Sequence, residues 1–369
     1  MPADSHVLAL NAGSSSVKCA LFRAGDPPTE QLRDKLERVA SPDDVVRWLG
    51  AKGATANLAA IAHRLVHGGP NHTAPALVTP ELLRNLDALR PLDPTHLPAE
   101  LDLIAACAAR GPNVPMVACF DTAFHRDLPT VARTLPLPHR FGLRKYGFHG
   151  ISYEYLMEEL ARVAGADAAR GRVVLAHLGS GASLAAVRAS ACIDTTMGFT
   201  PAGGLVMGTR TGDLDPGALI HLMRTENLTA DQLDAVVNRE SGLRGISETS
   251  SDIRELLARE STDPRAADAV AVFCYQARKF VGAMAAALGG LDTMVFAGGI
   301  GENAPEVRSR ICGELAFLGV RLDPDRNAAS AAVISEAGTP VTVRVIRTDE
   351  EAMLARAAFR LLSQRSANG

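Results

Sequence analysis

Apolar and polar residues alternate in two short stretches that predict a strand, a tight turn and a second strand. Near the start, the apolar run Val7–Leu10 leads into the polar turn Asn11-Ala12-Gly13-Ser14-Ser15-Ser16, and the alternating segment Val17–Phe22 leads out of it. A period of two puts successive side chains on opposite faces, so this stretch reads as a β-hairpin. The arrangement returns in Val173–Ala176, His177-Leu178-Gly179-Ser180-Gly181 and Ser183–Val187. A shift of 166 residues superposes Asn11 on His177, Gly13 on Gly179 and Ser14 on Ser180, which predicts an internal duplication.

Between and after the hairpins the apolar spacing changes to that of helices, over Pro98–Ala109, Tyr153–Ala164, Pro216–Arg224 and Ala266–Leu288. Short β-rich runs at Val114–Phe120, Thr293–Ala297 and Val341–Ile346 alternate with them, which predicts an α/β chain with mixed sheets covered by helices. Residues 23–60 read as surface turns and a short helix. At 369 residues the chain exceeds one ordinary hydrophobic core, so two domains with a cleft between them are expected.

Composition narrows the function class. With 47% hydrophobic and 21% charged residues the chain reads as an ordinary soluble protein. Aromatics at 4% and a net charge of -3 leave no basic, stacking surface for nucleic acid, so anionic ligands must be held by local devices. The four-residue apolar run Val7–Leu10 is too short for a secretion signal, and no apolar stretch reaches membrane-spanning length. The six cysteines lie far apart without CxxC spacing, which predicts buried free thiols in a cytoplasmic protein.

Nothing matches GxxxxGK[ST], so a phosphate would be held otherwise. Consecutive backbone N–H groups in a Gly/Ser turn form an anion-binding nest, and the hydroxyls of Ser14 and Ser16 add donors. Lys18 supplies a point charge just past the first turn. Either turn alone is an ordinary surface hairpin; two in equivalent positions favour the phosphate reading. A third glycine-rich element, AGGIGENAPEVR, follows a strand, and Asn303 with Pro305 and Glu306 predicts a helix N-terminus there. Four isolated charges, Arg64, Asp121, His149 and Arg210, stand in apolar or glycine-rich surroundings, where a charge is costly unless paired. Structural ion pairs would explain any one of them; together with phosphate-holding turns they suit phosphoryl transfer, which needs positioning and charge neutralisation.

The segments LNAGSSSVK, HRLVHGG, CFDTAFH, RKYGFHGIS, HLGSGAS, MGFTPAGGLVMGTRTGDLDP, FAGGIGEN and TDEE, in this order, resemble the acetate kinase family from Val7 to about Leu361. The resemblance implies a duplicated ribonuclease H-like fold of the sugar-kinase, actin and heat-shock ATPase superfamily, with ATP in an interdomain cleft. Under it the chain divides into an N-terminal lobe of residues 1–122 completed by 348–369, and a nucleotide-binding lobe of 123–347. It implies ATP/ADP as co-substrate, Mg²⁺ or Mn²⁺, a short-chain fatty acid as acceptor with acetate first and propionate or butyrate next, and a homodimer.

By resemblance Asn11 and Glu350 are magnesium-associated and Lys18 holds nucleotide phosphate. His177, Leu178, Gly179, Ser180 and Gly181, then Asp252, Ile253 and Arg254, then Gly299, Ile300, Gly301, Glu302 and Asn303 form three nucleotide-binding stretches. Arg64, Asp121, His149 and Arg210 are the catalytic set; the resemblance implies an acid/base role for Asp121, but because a fatty acid is already ionised and no proton must be removed, Asp121 is expected mainly to orient an arginine or the metal's water shell. Val66, Leu92, Phe148 and Pro201 line an apolar pocket for the methyl group. Thr348 and Glu351 are expected to form a capping box for the last helix, which separates Glu351 from Glu350. The chain departs from the family pattern at Asp93, where a histidine is replaced or displaced to His96, at Tyr153 for the last histidine of HGTSH, and at Ser180 for the asparagine of HLGNG. The same scaffold serves filament and chaperone ATPases, but those need a partner-binding domain or insertions. A sensor without turnover would not need Asn11, Asp121, Arg210 and Glu350 together.

Overall fold

The alternating segments form two sheets that share one strand order. A computed structural model describes residues 2, 4–13, 16–37, 42–51, 57–111 and 113–368. The chain forms two compact units, the first made of residues 1–126, 148–155 and 349–369 and the second of 127–147 and 156–348. Residues 148–155, left by the sequence division in the second lobe, pack with the first unit, where Gly150 N donates to Asp121 O at 2.9 Å.

In the first unit, strands β1 (His6–Ala12), β2 (Ser16–Arg23), β3 (Thr29–Glu37), β4 (Leu58–Leu65), β5 (Ala76–Leu77) and β6 (Met116–Phe120) lie in the order β3-β2-β1-β4-β6-β5. The first three form an antiparallel meander, β4 runs parallel to β1 and β6 parallel to β4, and β5 adds a short antiparallel edge. Val7 and Ala9 pack under the helix Glu350–Asn368 through Met353, Leu354 and Ala358. Leu8 and Leu10 face Val45 and Trp48 of the helix Pro42–Ala51 and Leu103 and Cys107 of the helix Leu97–Arg110. Burial on both faces is why β1 is an almost unbroken apolar run. β3 corrects the expectation of turns over residues 23–60: its polar residues suit a sheet edge, and its pairing comes from β2.

In the second unit, β7 (Arg172–Leu178), β8 (Ala182–Arg188), β9 (Ala191–Thr195), β10 (Thr293–Ala297) and β11 (Thr342–Val345) lie in the order β11-β10-β7-β8-β9. Again three strands form an antiparallel meander, the fourth runs parallel to the first and the fifth parallel to the fourth. The α/β class with two mixed sheets flanked by helices is thus as the sequence predicts, and each sheet repeats the other apart from β5. The turns differ by one residue: Asn11 faces Lys18, whereas His177 faces Ser183, so Ser183 takes the strand position of Lys18. The helix Pro264–Leu288 packs on β7, β8 and β9 and buries Val270, Phe273, Ala277, Val281 and Met284, with Asp263 capping its start.

Two cap assignments are corrected. The glycine-rich helix begins at Gly298 directly after β10 and ends at Asn303, whose Nδ2 donates back to Gly299 O at 3.0 Å; the next helix, Pro305–Cys312, starts after Ala304 without a side-chain cap. Asn303 therefore closes one helix and does not open another. At the last helix Asp349 accepts from Ala352 N at 2.9 Å, Thr348 N donates to Glu302 Oε1 at 3.1 Å, and both Glu351 oxygens are taken by Asn11 and Arg33, so Glu351 does not reach back to Thr348 N as a capping box requires. Ion pairing in the first unit outcompetes local capping there, because a buried carboxylate needs charged or multiple donors.

Candidate functional site

In the first unit the ends of three parallel strands bring the charged residues together. Asn11 is near the end of β1, Arg64 near the end of β4, and Asp121 directly follows β6, with Asp121 N held by Leu65 O at 2.9 Å. Arg64 donates from Nε at 3.1 Å and Nη2 at 2.5 Å to Asp121 Oδ2, and from Nη1 to Ala12 O at 3.0 Å and Glu100 Oε1 at 3.4 Å. Burial alone would lower the Arg64 guanidinium, but the charges of Asp121 and Glu100 and the Asp121 hydrogen bond outweigh it and hold it raised. Arg64 is a fixed cation at working pH.

Asn11 Nδ2 donates to Glu350 Oε2 at 2.6 Å and to Glu351 Oε1 at 2.8 Å. Glu351 Oε2 accepts from Arg33 Nη1 at 2.6 Å, and Arg33 Nη2 reaches Asp349 at 2.8 Å. The adjacent acids thus share Asn11, where the sequence reading had separated them. Lys18 is exposed and Ser16 half-buried beside the turn, which Gly13 N closes on Ser16 O at 2.8 Å; Ser14 lies outside the described residues.

Val66 is 2% exposed and donates its N–H to Glu100 Oε2 at 2.9 Å. Phe148 is buried, its ring 5.6 Å from that of His67, and its carbonyl lies 2.9 Å from His125 Nε2. His149 follows in a left-handed conformation, φ 58°, just ahead of Gly150. Leu92 ends the short turn Arg90–Leu92, half-buried. Beside it Asp93 accepts from His96 N at 2.8 Å and lies 3.0 Å from His96 Nδ1, so the departure at Asp93 is a buried pair that ties down the chain ahead of the helix Leu97–Arg110. Tyr153 is fully buried among Phe124 and His125.

In the second unit the parallel pairing of β7 and β10 sets Ala297 against His177, so the turn His177–Gly181 and the helix Gly298–Asn303 leave neighbouring strand ends. Gly179 N closes the turn on Gly181 O at 2.9 Å, and Ser180 O accepts from Gly208 N at 3.0 Å. A Cβ at Gly208 would stand 3.3 Å from both Ser180 O and Ser251 O, which places the Met207–Arg210 loop between the turn His177–Gly181 and the residue just ahead of Asp252. Arg210 donates to Pro201 O at 3.1 Å. Gly242, at φ 64°, lets the next helix pack on this loop: a Cβ there would meet Met207 O at 2.2 Å and Arg210 O at 2.7 Å. Asp252 caps the helix Ile253–Arg259, accepting from Arg254 N at 2.9 Å and pairing with the exposed Arg254 guanidinium, while Ile253 is buried. The pair therefore also serves as the helix's N-terminal cap.

Gly299 and Asn303 are exposed, Ile300 half-buried and Gly301 buried. Glu302 Oε1 accepts from Gly298 N at 3.0 Å and Thr348 N at 3.1 Å, a structural role for its carboxylate. Arg308, fully buried, donates to Gly301 O at 2.8 Å, Glu302 O at 3.0 Å, Asn327 Oδ1 and O at 2.8 and 2.7 Å, and Ser330 Oγ at 3.0 Å. All five guanidinium donors therefore meet neutral acceptors, and Arg308 ties two carbonyls of the glycine-rich helix to Asn327 and Ser330. Glu100, Arg33 and Arg308 were missed by the sequence reading, and Glu351 was read only as a cap; of the three, only Glu100 carries a trace, an acid on the apolar face of a helix that buries Leu97, Leu101, Leu103 and Ile104.

Comparison with known proteins now bears on the whole chain. The model of the acetokinase family matches residues 48–356. The acetate kinase of Rhodopseudomonas palustris is 43% identical over 391 positions, covering 96% of this chain and 98% of that protein. That of Methylocella silvestris is 40% identical, covering 98% and 99%. Among solved structures, the acetate kinase of Porphyromonas gingivalis superposes with a TM-score of 0.85 at 34% identity, over 97% of this chain and 100% of that one. A propionate kinase of Francisella tularensis gives 0.86 at 33%, over 96% and 98%. With the family's pattern matched over most of its length and relatives this similar end to end, the chain belongs to the acetokinase family.

Proposed function

We propose that this protein is an acetate kinase, which reversibly moves the γ-phosphoryl group of ATP to the carboxylate of acetate, giving acetyl phosphate and ADP. The observation that carries the site assignment is the Arg64 guanidinium, nearly buried and held from three sides by Asp121, Glu100 and Ala12 O. A cation fixed at a strand end is preorganised for an anion that must be placed and neutralised, which is most of what phosphoryl transfer requires of a protein. A fatty acid is already ionised at neutral pH, since carboxyl groups titrate near pH 4, so no base is needed to activate it. Asp121 is accordingly assigned to orienting Arg64, supported by two Arg64 donors converging on one of its oxygens.

Arg64, His149 and Arg210 are assigned to charge on the transferring group, and Val66, Leu92, Phe148 and Pro201 to the alkyl end. Lys18, Ser14 and Ser16, with the His177–Gly181, Asp252–Arg254 and Gly299–Asn303 stretches, are assigned to the nucleotide. Asn11 and Glu350 suit Mg²⁺: they present hard oxygens, and Asn11 uses its Nδ2 on the two acids, which leaves Oδ1 as the atom for a cation. No group of three or more His, Cys, Asp or Glu side chains that could hold a metal ion occurs among the described residues. When bound, Mg²⁺ would neutralise polyphosphate charge. The six cysteines, all free and buried, support a reducing cytoplasmic setting, and we assign a homodimer, to be checked by light scattering.

Incubation with ATP, Mg²⁺, acetate and hydroxylamine should give acetyl hydroxamate and stoichiometric ADP. Absence of hydroxamate, or ADP release indifferent to acetate, refutes the reading. The kcat/KM values for acetate, propionate and butyrate test the choice of acid.

A further inference from the structure

We propose that Glu100 is a positioning residue that sets the acid-binding and alkyl-binding walls of the site together, through Arg64 and Val66. The inference rests on the assignment of those two residues to the acid substrate.

Glu100 lies in the first turn of the helix Leu97–Arg110 and is 3% exposed. Its two oxygens do different things: Oε1 is 3.4 Å from Arg64 Nη1, and Oε2 accepts from the Val66 backbone N–H at 2.9 Å. Arg64 and Val66 are two residues apart where β4 gives way to loop, so both project from the same short stretch. One carboxylate, carried on a separate helix, therefore fixes the place of both. Asp121 already takes Arg64 Nε and Nη2, so Glu100 is not required to neutralise the arginine. It restrains the remaining nitrogen, Nη1, which it shares with Ala12 O. Burial pushes the Glu100 carboxyl up, against the pull of Arg64 and the Val66 N–H, and an ionisable side chain in such a place persists only where its contacts are specific.

Two substitutions separate the two contacts. Glu100→Gln keeps a carbonyl oxygen for Val66 N–H and loses the acceptor for Arg64. Glu100→Ala loses both. Glu100→Gln should raise KM for acetate about tenfold, leave KM for ATP within about twofold, and leave the ratio of propionate to acetate kcat/KM unchanged. Glu100→Ala should in addition raise that ratio about fivefold as the Val66 wall loosens. If Glu100→Ala does not fold, Glu100→Gln decides. Wild-type kinetics in Glu100→Gln, or equal changes in both KM values, overturn the inference. A wild-type chain that forms no acetyl hydroxamate instead sinks the function on which it rests, and the two failures are told apart by measuring the wild type first.

Discussion

Replacing Gly150 with alanine tests how closely the chain is packed around Asp121. Gly150 N donates to Asp121 O at 2.9 Å, and a Cβ at Gly150 would stand 2.0 Å from that same oxygen and 2.8 Å from the Phe124 Cβ. Relief to even 3.0 Å requires a displacement of 1.0 Å, and the obstacle is main chain, which cannot swing aside as a side chain would. Asp121 is also pinned through its own N–H to Leu65 O at 2.9 Å, so the movement must be shared by the strand end, by His149 or by the Arg64 pair. Overpacking of this kind costs about 1–3 kcal/mol of stability. A shift of about 1 Å at the residue that orients Arg64 should lower kcat/KM for acetate on the order of 100-fold. Gly282→Ala in the helix Pro264–Leu288 is the control: its Cβ meets nothing within 4 Å, and alanine in a helix interior should stabilise by about 0.5–1 kcal/mol without touching activity. Urea unfolding monitored by circular dichroism and hydroxamate kinetics measure both quantities. Gly150→Ala with wild-type stability and kcat/KM within about threefold of wild type would refute the packing argument.

Arg308→Met leaves Asn327, Ser330 and two carbonyls of the glycine-rich helix without their donor; it should cost about 2–4 kcal/mol and raise KM for ATP more than KM for acetate, read from urea midpoints and initial rates. His63 is 1% exposed, its Nε2 has no hydrogen-bond partner among the described residues, and burial lowers it from 6.5 to about 3. The folded protein keeps this imidazole neutral while the unfolded chain takes up the proton, so stability is lost as pH falls from 6.5 towards 3, by about 2 kcal/mol at pH 5. His63→Gln should remove that part of the slope between pH 7 and 5; an unchanged slope would show that other groups carry it. Arg33→Met frees Glu351 from its ion pair and loosens its hold on Asn11, so under the proposed assignment of Asn11 and Glu350 to Mg²⁺ the Mg²⁺ concentration for half-maximal rate should rise about tenfold, while a requirement equal to wild type would remove Arg33 from any part in holding the ion.

Periodicity sufficed for the parts of this fold whose burial is local. The hairpins Val7–Phe22 and Val173–Val187, the helix Pro264–Leu288 and the strand Thr293–Ala297 were legible because each carries its apolar face in its own residues. The strand Thr29–Glu37 was not, since an edge strand is defined by the partner that pairs with it, here the preceding strand, which sets Arg23 against Thr29 and Ser16 against Glu37. Single ionisable residues in apolar surroundings, Arg64 and Asp121 among them, could be singled out from the chain because a charge there is costly. Their partners could not. Glu100, Arg33 and Glu351 meet their counterparts across 36, 318 and 340 residues of sequence, and such distances close only when strands and helices pack. For the same reason the adjacent acids Glu350 and Glu351 looked separable in sequence: the capping pattern is local, whereas Asn11 and Arg33 reach Glu351 only in the folded unit, where ion pairing prevails over the cap.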